Sequence, residues 1–396
     1  MHLFLPLGDH PPANAFLTRA QLDQPEARFA LDAHACLDCG LIQVPNVVPP
    51  GFFREYLYVP SASDTMHRHF GDLAARVRRD FAPSADDLVV DIGSNDGLFL
   101  WKLHEIGGRG LGIEPATNLA AVARARGVEV VNEYFDRDTV AHVRARFGRA
   151  RVITTTNTFN HIDDLHGFTA AAMELLDAHG TIVIEVPHAG DLVERNEFDT
   201  IYHEHLSEFS VKSIVDLFRF FDLVVTDVER LPVHGGSMRV CGCRRSNGAA
   251  SPAAVDDWLL RERVSGLLSA ATYDAFAARV ERIRRGLLDL LAAQNAEGLR
   301  VAGYGAPAKG NTLLNYCGIG PETVPYLADR NALKHGRYSP GMHIPIVPAE
   351  HVLEDQPDAL LILAWNFADE IVQQQEEYRR RGGRFILPIP EPRIVS

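Results

Sequence analysis

The apolar run Leu88-Val89-Val90-Asp91-Ile92 breaks abruptly into the polar loop Gly93-Ser94-Asn95-Asp96-Gly97, and Leu98, Leu100 and Leu103 follow at helical spacing. A strand buried on both faces has that composition and an amphipathic helix has that stripe, so the stretch predicts strand, tight turn and helix. Glycine at 93 and 97 lets the backbone turn sharply and approach a bound molecule with no Cβ in the way, while the helix start presents free N–H groups. A second run, Gly110-Leu111-Gly112-Ile113, ends in Glu114. Doubly wound folds place a carboxylate there against ribose hydroxyls.

Two ligands compete for such a loop, NAD(H) and S-adenosylmethionine. The dinucleotide fingerprint wants Gly-x-Gly-x-x-Gly to seat a pyrophosphate. Here Asp91 precedes the first glycine, and Asn95 and Asp96 crowd the turn. Those side chains suit a cationic, phosphate-free ligand, which favours S-adenosylmethionine.

Alternating strand and helix patterns continue through Val128 to Val131, Val152 to Thr156 and Thr181 to Val186, then end in a hairpin of Leu223 to Val228 and Met238 to Cys243. The alternation predicts a parallel sheet with ligands at the strand C-termini. With 396 residues, two or three compact units are expected. The patterns divide them into a small loop-rich unit at 1–80, the sheet domain at 81–250, a helical connector at 251–298 and a second α/β unit at 299–396. The connector carries the stripe Tyr273, Phe276, Val280, Ile283, Leu287 and Leu290.

A formal net charge of −13 argues against nonspecific nucleic-acid binding and requires any phosphorylated substrate to meet a local positive cluster. No apolar stretch is long enough to span a bilayer, and the first residues lack the basic and apolar regions of a signal peptide, so a cytoplasmic location is expected. Five cysteines, an odd number, fit a reduced chain with a metal site better than a disulfide framework. Cys36-Leu37-Asp38-Cys39 supplies two thiolates at zinc spacing; His2, His10 and His34 are the nearby candidates to complete the site, none at a diagnostic spacing. Cys241 and Cys243 are read as packing thiols.

Chemistry-bearing residues gather at the predicted strand ends. Asn157 follows one end within reach of the ligand, and His161 faces a substrate beside it. Tyr202-His203-Glu204-His205 is the densest polar cluster. Alternate residues share a face only in extended chain, so general acid–base work fits it better than metal ligation. His205 would accept a proton, Glu204 would orient an imidazole, and Tyr202 would stabilise an oxyanion. Tyr56 lies on a loop that can line a pocket. The second α/β unit opens with Gly303-Tyr304-Gly305-Ala306-Pro307-Ala308-Lys309-Gly310-Asn311, which lacks the third glycine of an NAD loop at its expected place. Lys309 and Asn311 there, with Lys334 and Arg337 further on, form the local positive cluster for a substrate.

These motifs together resemble the S-adenosylmethionine-dependent sugar C-methyltransferases that act at C3 of nucleotide-linked 4-keto-6-deoxyhexoses. The resemblance is nearly full-length. It rests on Cys36-Leu37-Asp38-Cys39-Gly40-Leu41, Tyr56-Leu57-Tyr58, the 91–97 loop, Tyr202-His203-Glu204-His205 and the 303–311 string. It implies a zinc-binding N-terminal domain, a central class I methyltransferase with a doubly wound sheet, and a C-terminal Rossmann-like domain, with the nucleotide-linked keto sugar in the cleft between them. It further implies His205 as the base, with Tyr56, His161, Tyr202 and Glu204 around the reacting sugar. The cofactor residues it points to are Asp91, Gly93, Asn95, Asp96, Gly97, Glu114 and Asn157. In one respect the sequence departs from the family: an earlier Cys-x-x-Cys, which with Cys36 and Cys39 completes four thiolates, is not there. Either the start is truncated or the zinc site is degenerate. The alternatives to a methyltransferase are an NAD-dependent sugar-nucleotide oxidoreductase using the 301–310 loop and a sugar-nucleotide-binding protein without catalysis.

Overall fold

The computed structural model describes residues 1–46 and 49–395, and these form three sheets. The largest has seven strands, in the spatial order Leu223–Leu231, Ser237–Arg244, Leu176–Pro187, Ala150–Thr156, Leu88–Ile92, Arg109–Ile113 and Val130–Val131. The last five are parallel. The first two are the expected antiparallel hairpin, laid on the edge. Leu88–Ile92 is buried at every position, as its unbroken apolar run requires. From it the chain winds outward through Arg109–Ile113 and Val130–Val131, then returns to its other side with Ala150–Thr156. That reversal is the switch point at which doubly wound sheets bind ligands.

The N-terminal unit is more ordered than its composition suggests. His2–His10, Phe29–Ala35 and Ile42–Gln43 pair antiparallel, and Ser207–Glu208, far along the chain, adds a fourth strand beside Ile42–Gln43. Helix Asp64–Arg76 lies elsewhere: its stripe of Met66, Phe70 and Leu73 packs with Phe99, Leu100 and Leu103 against the large sheet. The stretch 64–80 therefore belongs physically with the central domain.

The expected connector is a packing pillar. Helix Ala270–Ala296 buries Tyr273, Phe276, Val280, Ile283 and Leu287, with Leu291 rather than Leu290 on the inner face. These residues share one core with Phe4, Leu5 and Leu31 of the N-terminal sheet and with Val301, Leu327 and Leu361 of the C-terminal one. Phe4 and Tyr273 place their ring centroids 4.9 Å apart. Each such aromatic contributes ~1.5–3 kcal/mol on burial, so the helix ties the two units together as it spans them. The C-terminal sheet has six strands, in the order Ile346–Pro348, Leu327–Asp329, Val301–Tyr304, Ala359–Ile362, Arg384–Leu387 and Arg393–Val395, all parallel except the last. Its two edge strands have three residues each, too short to show a periodicity. Among the described residues no helix is long and apolar enough to cross a membrane.

Candidate active site

A cavity of about 870 Å³ opens at the C-terminal ends of the central strands and extends to the C-terminal sheet, a size usual for small-molecule sites. All three units line it: Asn14 from the first, Asp91, Glu114 and Asn157 from the second, Lys309 and Lys334 from the third.

The 91–97 loop forms one end. Gly93, Asn95 and Gly97 all have left-handed backbone, with φ of +71°, +51° and +76°. A Cβ on residue 93 would stand 2.2 Å from Thr158 Oγ1, so this turn admits only glycine. Thr154 donates to Asp91 Oδ1 at 2.7 Å, and burial pushes the Asp91 carboxyl up to about 7. Glu114 accepts from the Asn95 amide at 2.7 Å and the Ala116 amide at 2.8 Å; burial raises its pKa as well. Asn157, at φ +51°, donates its backbone N–H to Glu185 O at 2.7 Å. Carboxylates and amides converging on one end fit the sulfonium, amino and ribose hydroxyl groups of S-adenosylmethionine, which Asp91, Glu114, Asn95 and Asn157 would hold.

Two residues expected to touch that ligand do not line the cavity. Asp96 is fully buried and accepts from the Arg126 guanidinium at 2.8 Å. Gly97 sits where a Cβ would approach Ala123 Cβ to 2.9 Å. Both support the loop from behind, because the left-handed residue at 95 turns the next positions away from the ligand side.

The other end is built on a tight turn. The His205 N–H donates to Tyr202 O at 2.8 Å, which brings the two rings together at a tilt of 33°, 3.9 Å between centroids. The Tyr202 hydroxyl lies 2.5 Å from His205 Nε2. On the opposite side of the imidazole, Nδ1 lies 3.0 Å from Glu208 Oε1. His161 stands edge-on to His205 at 5.0 Å. Burial, with the nearby Lys309 charge second, lowers His205 to about 3, so the imidazole is neutral at pH 7 and has a lone pair to offer, while the same surroundings oppose its protonation. Burial also holds Tyr202 and Tyr56 well above the ordinary phenol range, which keeps both as donors.

Glu204 does not orient that imidazole. It faces the other way and accepts three bonds: from the Asn14 backbone N–H at 3.0 Å, Asn14 Nδ2 at 2.6 Å and the Tyr56 hydroxyl at 2.9 Å. Neighbours in sequence project to different sides, whereas a residue three further on in a turn comes back to the same one. Glu208 therefore takes the place expected for Glu204. Neither Glu208 nor Asn14 was found from the sequence. The third-residue spacing of Tyr202, His205 and Glu208 was the available signal for the first; for Asn14 there was none. His203 stands in the cavity wall, but its Nε2 turns to Phe29 O, 3.0 Å away.

The segment carrying Tyr56 roofs the cavity. Its Tyr56 amide and carbonyl both bond the Asn118 side chain, at 3.1 and 2.7 Å. The Tyr58 carbonyl accepts from Asn95 Nδ2 at 3.1 Å and the Leu57 carbonyl from Asn331 Nδ2 at 2.6 Å.

Of the expected positive cluster, Lys309 and Lys334 line the cavity. Lys309 Nζ is 4.0 Å from Glu197 Oε2 and 5.2 Å from the Trp365 ring centroid, and Lys334 Nζ donates to Ala306 O at 2.8 Å. Asn311 and Arg337 do not line it: Asn311 donates to Ala13 O at 2.8 Å and Arg337 to Leu333 O at 3.1 Å. Residues two apart on a helix differ by roughly 200° in direction, so 309 and 311 cannot both face the cavity. Beyond Lys334 the short 3₁₀ turn has ended, and no periodicity returns residue 337 to that side.

Zinc does not fit the residues present. Cys36 and Cys39 lie on the turn before Ile42–Gln43, and among the described residues no group of three or more His, Cys, Asp or Glu gathers to hold a metal. His2 bonds Asp274, His10 the Leu7 carbonyl and His34 the Asp32 carbonyl. A structural zinc takes four ligands, and two thiols are at hand.

Comparison with known proteins adds three matches to family models. Residues 1–53 match "Putative zinc binding domain", residues 66–228 "Methyltransferase domain" and residues 232–390 "C-methyltransferase C-terminal domain". The C-methyltransferase NovU of Streptomyces niveus is 39% identical over 372 residues, covering 94% of this chain and 89% of that protein. Among solved structures, an S-adenosylmethionine-dependent methyltransferase of Thermotoga maritima matches 45% of this chain and 90% of its own, at 17% identity and a TM-score of 0.35. The magnesium protoporphyrin IX methyltransferase of Synechocystis matches 45% and 79%, at 10% identity and a TM-score of 0.34.

Proposed function

The chain belongs to the C-methyltransferase family, and from that premise we propose that it methylates C3 of a nucleotide-linked 4-keto-6-deoxy sugar through an enolate. The observation that carries this reading is a neutral, buried imidazole, His205, lining the same cavity as the carboxylate-rich 91–97 loop. S-adenosylmethionine, when bound, supplies an electrophilic methyl group on a sulfonium.

A proton on the carbon beside a ketone is acidic enough for a positioned base. His205 Nε2 takes it, the C–H electron pair passes into the enolate, and the charge collects on the C4 oxygen. His161, or Tyr202 once its hydroxyl yields Nε2 to the incoming proton, donates a hydrogen bond to that oxygen, a contribution of about 3–4 kcal/mol for a preorganised donor. C3 then forms its bond to the methyl carbon as the methyl–sulfur bond breaks, leaving neutral S-adenosylhomocysteine and the proton on the imidazole. The remaining task is to align carbon, methyl and sulfur, which a cavity shared by both ligands serves. Lys309 supplies positive charge toward the nucleotide diphosphate, while Lys334, tied to Asp329 and the Ala306 carbonyl, holds the wall beside it.

The test is incubation with S-adenosylmethionine and a panel of nucleotide-linked 4-keto sugars, followed by mass spectrometry. A mass gain of one CH₂ that survives base and maps to carbon is expected. Methyl found on oxygen or nitrogen, or no methylated member of the panel, would overturn it.

A further inference from the structure

We propose that Glu208 is the positioning residue of this reaction, holding Nδ1–H of His205 so that Nε2, the nitrogen met by the Tyr202 hydroxyl, is the one that accepts the proton. The inference rests on the reading of His205 as the base.

Three observations carry it. Glu208 Oε1 is 3.0 Å from Nδ1, on the face of the ring opposite Tyr202. The carboxylate is 1% exposed and its second oxygen, Oε2, is buried with no hydrogen-bond partner. Among the described residues, the one hydrogen bond of this buried carboxylate goes to the imidazole. It does not line the cavity, so it reaches the substrate only through His205.

Its place is set by a different part of the molecule from the one that binds the methyl donor. Ser207–Glu208 is the strand that pairs with Ile42–Gln43 of the N-terminal sheet. Two residues on, the Ser210 hydroxyl donates to Cys39 O at 2.5 Å, fixing the strand against the Cys36–Cys39 turn. The small N-terminal sheet is thus the mount of the catalytic base. A carboxylate behind an imidazole fixes its tautomer and stabilises the imidazolium formed when a proton is taken. The groups facing the pair are Tyr202, the His161 ring and, from the C-terminal unit, Lys309, whose charge opposes imidazolium formation. Glu208 offsets it.

The experiment is carried out on the full chain. ¹⁵N-histidine spectra at pH 8, with His205→Gln to assign the signal, are expected to show Nδ1 protonated and Nε2 bare in the wild type, and a mixture of tautomers in Glu208→Ala. Wild-type His205 protonated on Nε2 would overturn the proposal. With a 4-keto sugar nucleotide, Glu208→Gln should slow deuterium wash-in at C3 by about 100-fold, the scale of general-base catalysis. It should move the acid limb of the kcat profile and leave KM and S-adenosylmethionine affinity within about twofold, while Glu208→Asp recovers part of the rate. Unchanged exchange, or a loss confined to KM, would also overturn it. If the wild type neither exchanges nor methylates any keto sugar, the substrate assignment fails, and the tautomer measurement still decides the role of Glu208.

Discussion

The chain contains the same local motif twice, both copies line one cavity, and they differ in the charge that faces the acid. In the central unit, strand Leu88–Ile92 runs through Gly93 into helix Leu98–Glu105; in the C-terminal unit, Val301–Tyr304 runs through Gly305 into Ala308–Cys317. In each, an acid at the end of the neighbouring strand accepts a loop N–H at 2.7 Å, Glu114 from Asn95 and Asp329 from Ala306. The copies part at what stands behind the acid. Asp329 also accepts from the Asn331 amide at 2.7 Å and has Lys334 Nζ 3.7 Å away, and that ammonium bonds the Ala306 carbonyl as well. Glu114 is met by backbone amides. A lysine built into the second copy turns its acid into an internal tie, so a strand, a glycine and a trailing carboxylate do not by themselves make a ribose site; the charge facing the carboxylate decides.

Four measurements sharpen or break this contrast. The largest effect is expected from His205→Ala, which stands between the two loops: kcat should fall by roughly 10³-fold, within the range for a general base, while calorimetric titration with S-adenosylmethionine is unchanged. Next, Glu114→Ala should weaken S-adenosylmethionine by about 10- to 100-fold, the scale of a lost charged hydrogen-bond partner, whereas Asp329→Ala should leave that affinity alone and lower Tm. Equal effects on affinity would erase the distinction between the loops. Third, Gly93→Ala should cost about 2–4 kcal/mol in urea unfolding, since it adds both left-handed strain and a clash. Gly305→Ala, where the nearest atom is Ala364 Cβ at 3.1 Å, should cost only ~1–2 kcal/mol.

The smallest effect concerns pH. Asp91 holds its proton up to about 7 in the folded protein, above its value in the unfolded chain, so its favourable share of stability is complete in acid and is lost as pH rises through 7. The ionised form is the one that attracts a sulfonium. S-adenosylmethionine affinity should therefore rise a few-fold from pH 6 to 8, and Asp91→Asn should flatten that rise; a slope unchanged in Asp91→Asn would remove Asp91 from the cofactor contacts.

What the sequence showed and what it hid follow from the range of the interactions. The 88–97 stretch, the alternation of the central sheet and its closing hairpin are local patterns, and each is found where periodicity and glycine place it. The turn at 202–205 is local too, and it brings the Tyr202 and His205 rings together. Glu208 and Asn14 act through partners set by sheet pairing and loop crossing, Asn14 meeting a carboxylate 190 residues away. Period and spacing carry no record of such meetings. Asn311 and Arg337 fail for the opposite reason: neighbourhood in sequence was taken for neighbourhood in space, and helical rotation separates them from Lys309 and Lys334. The long helix Ala270–Ala296 shows its stripe plainly, yet the stripe does not say that two sheets rest on it.

The roof over the cavity has its nails in two walls. Asn118 and Asn95 fasten it to the central unit and Asn331 to the C-terminal one, all through main-chain atoms of Tyr56, Leu57 and Tyr58. Parting those two walls means breaking the Asn331 to Leu57 bond together with those from Thr65 to Glu370 and from Trp365 to Asp199. The strip that lines the chamber also carries the Tyr56 hydroxyl that bonds Glu204, so the wall of the chamber and the partner of that carboxylate are one piece of chain.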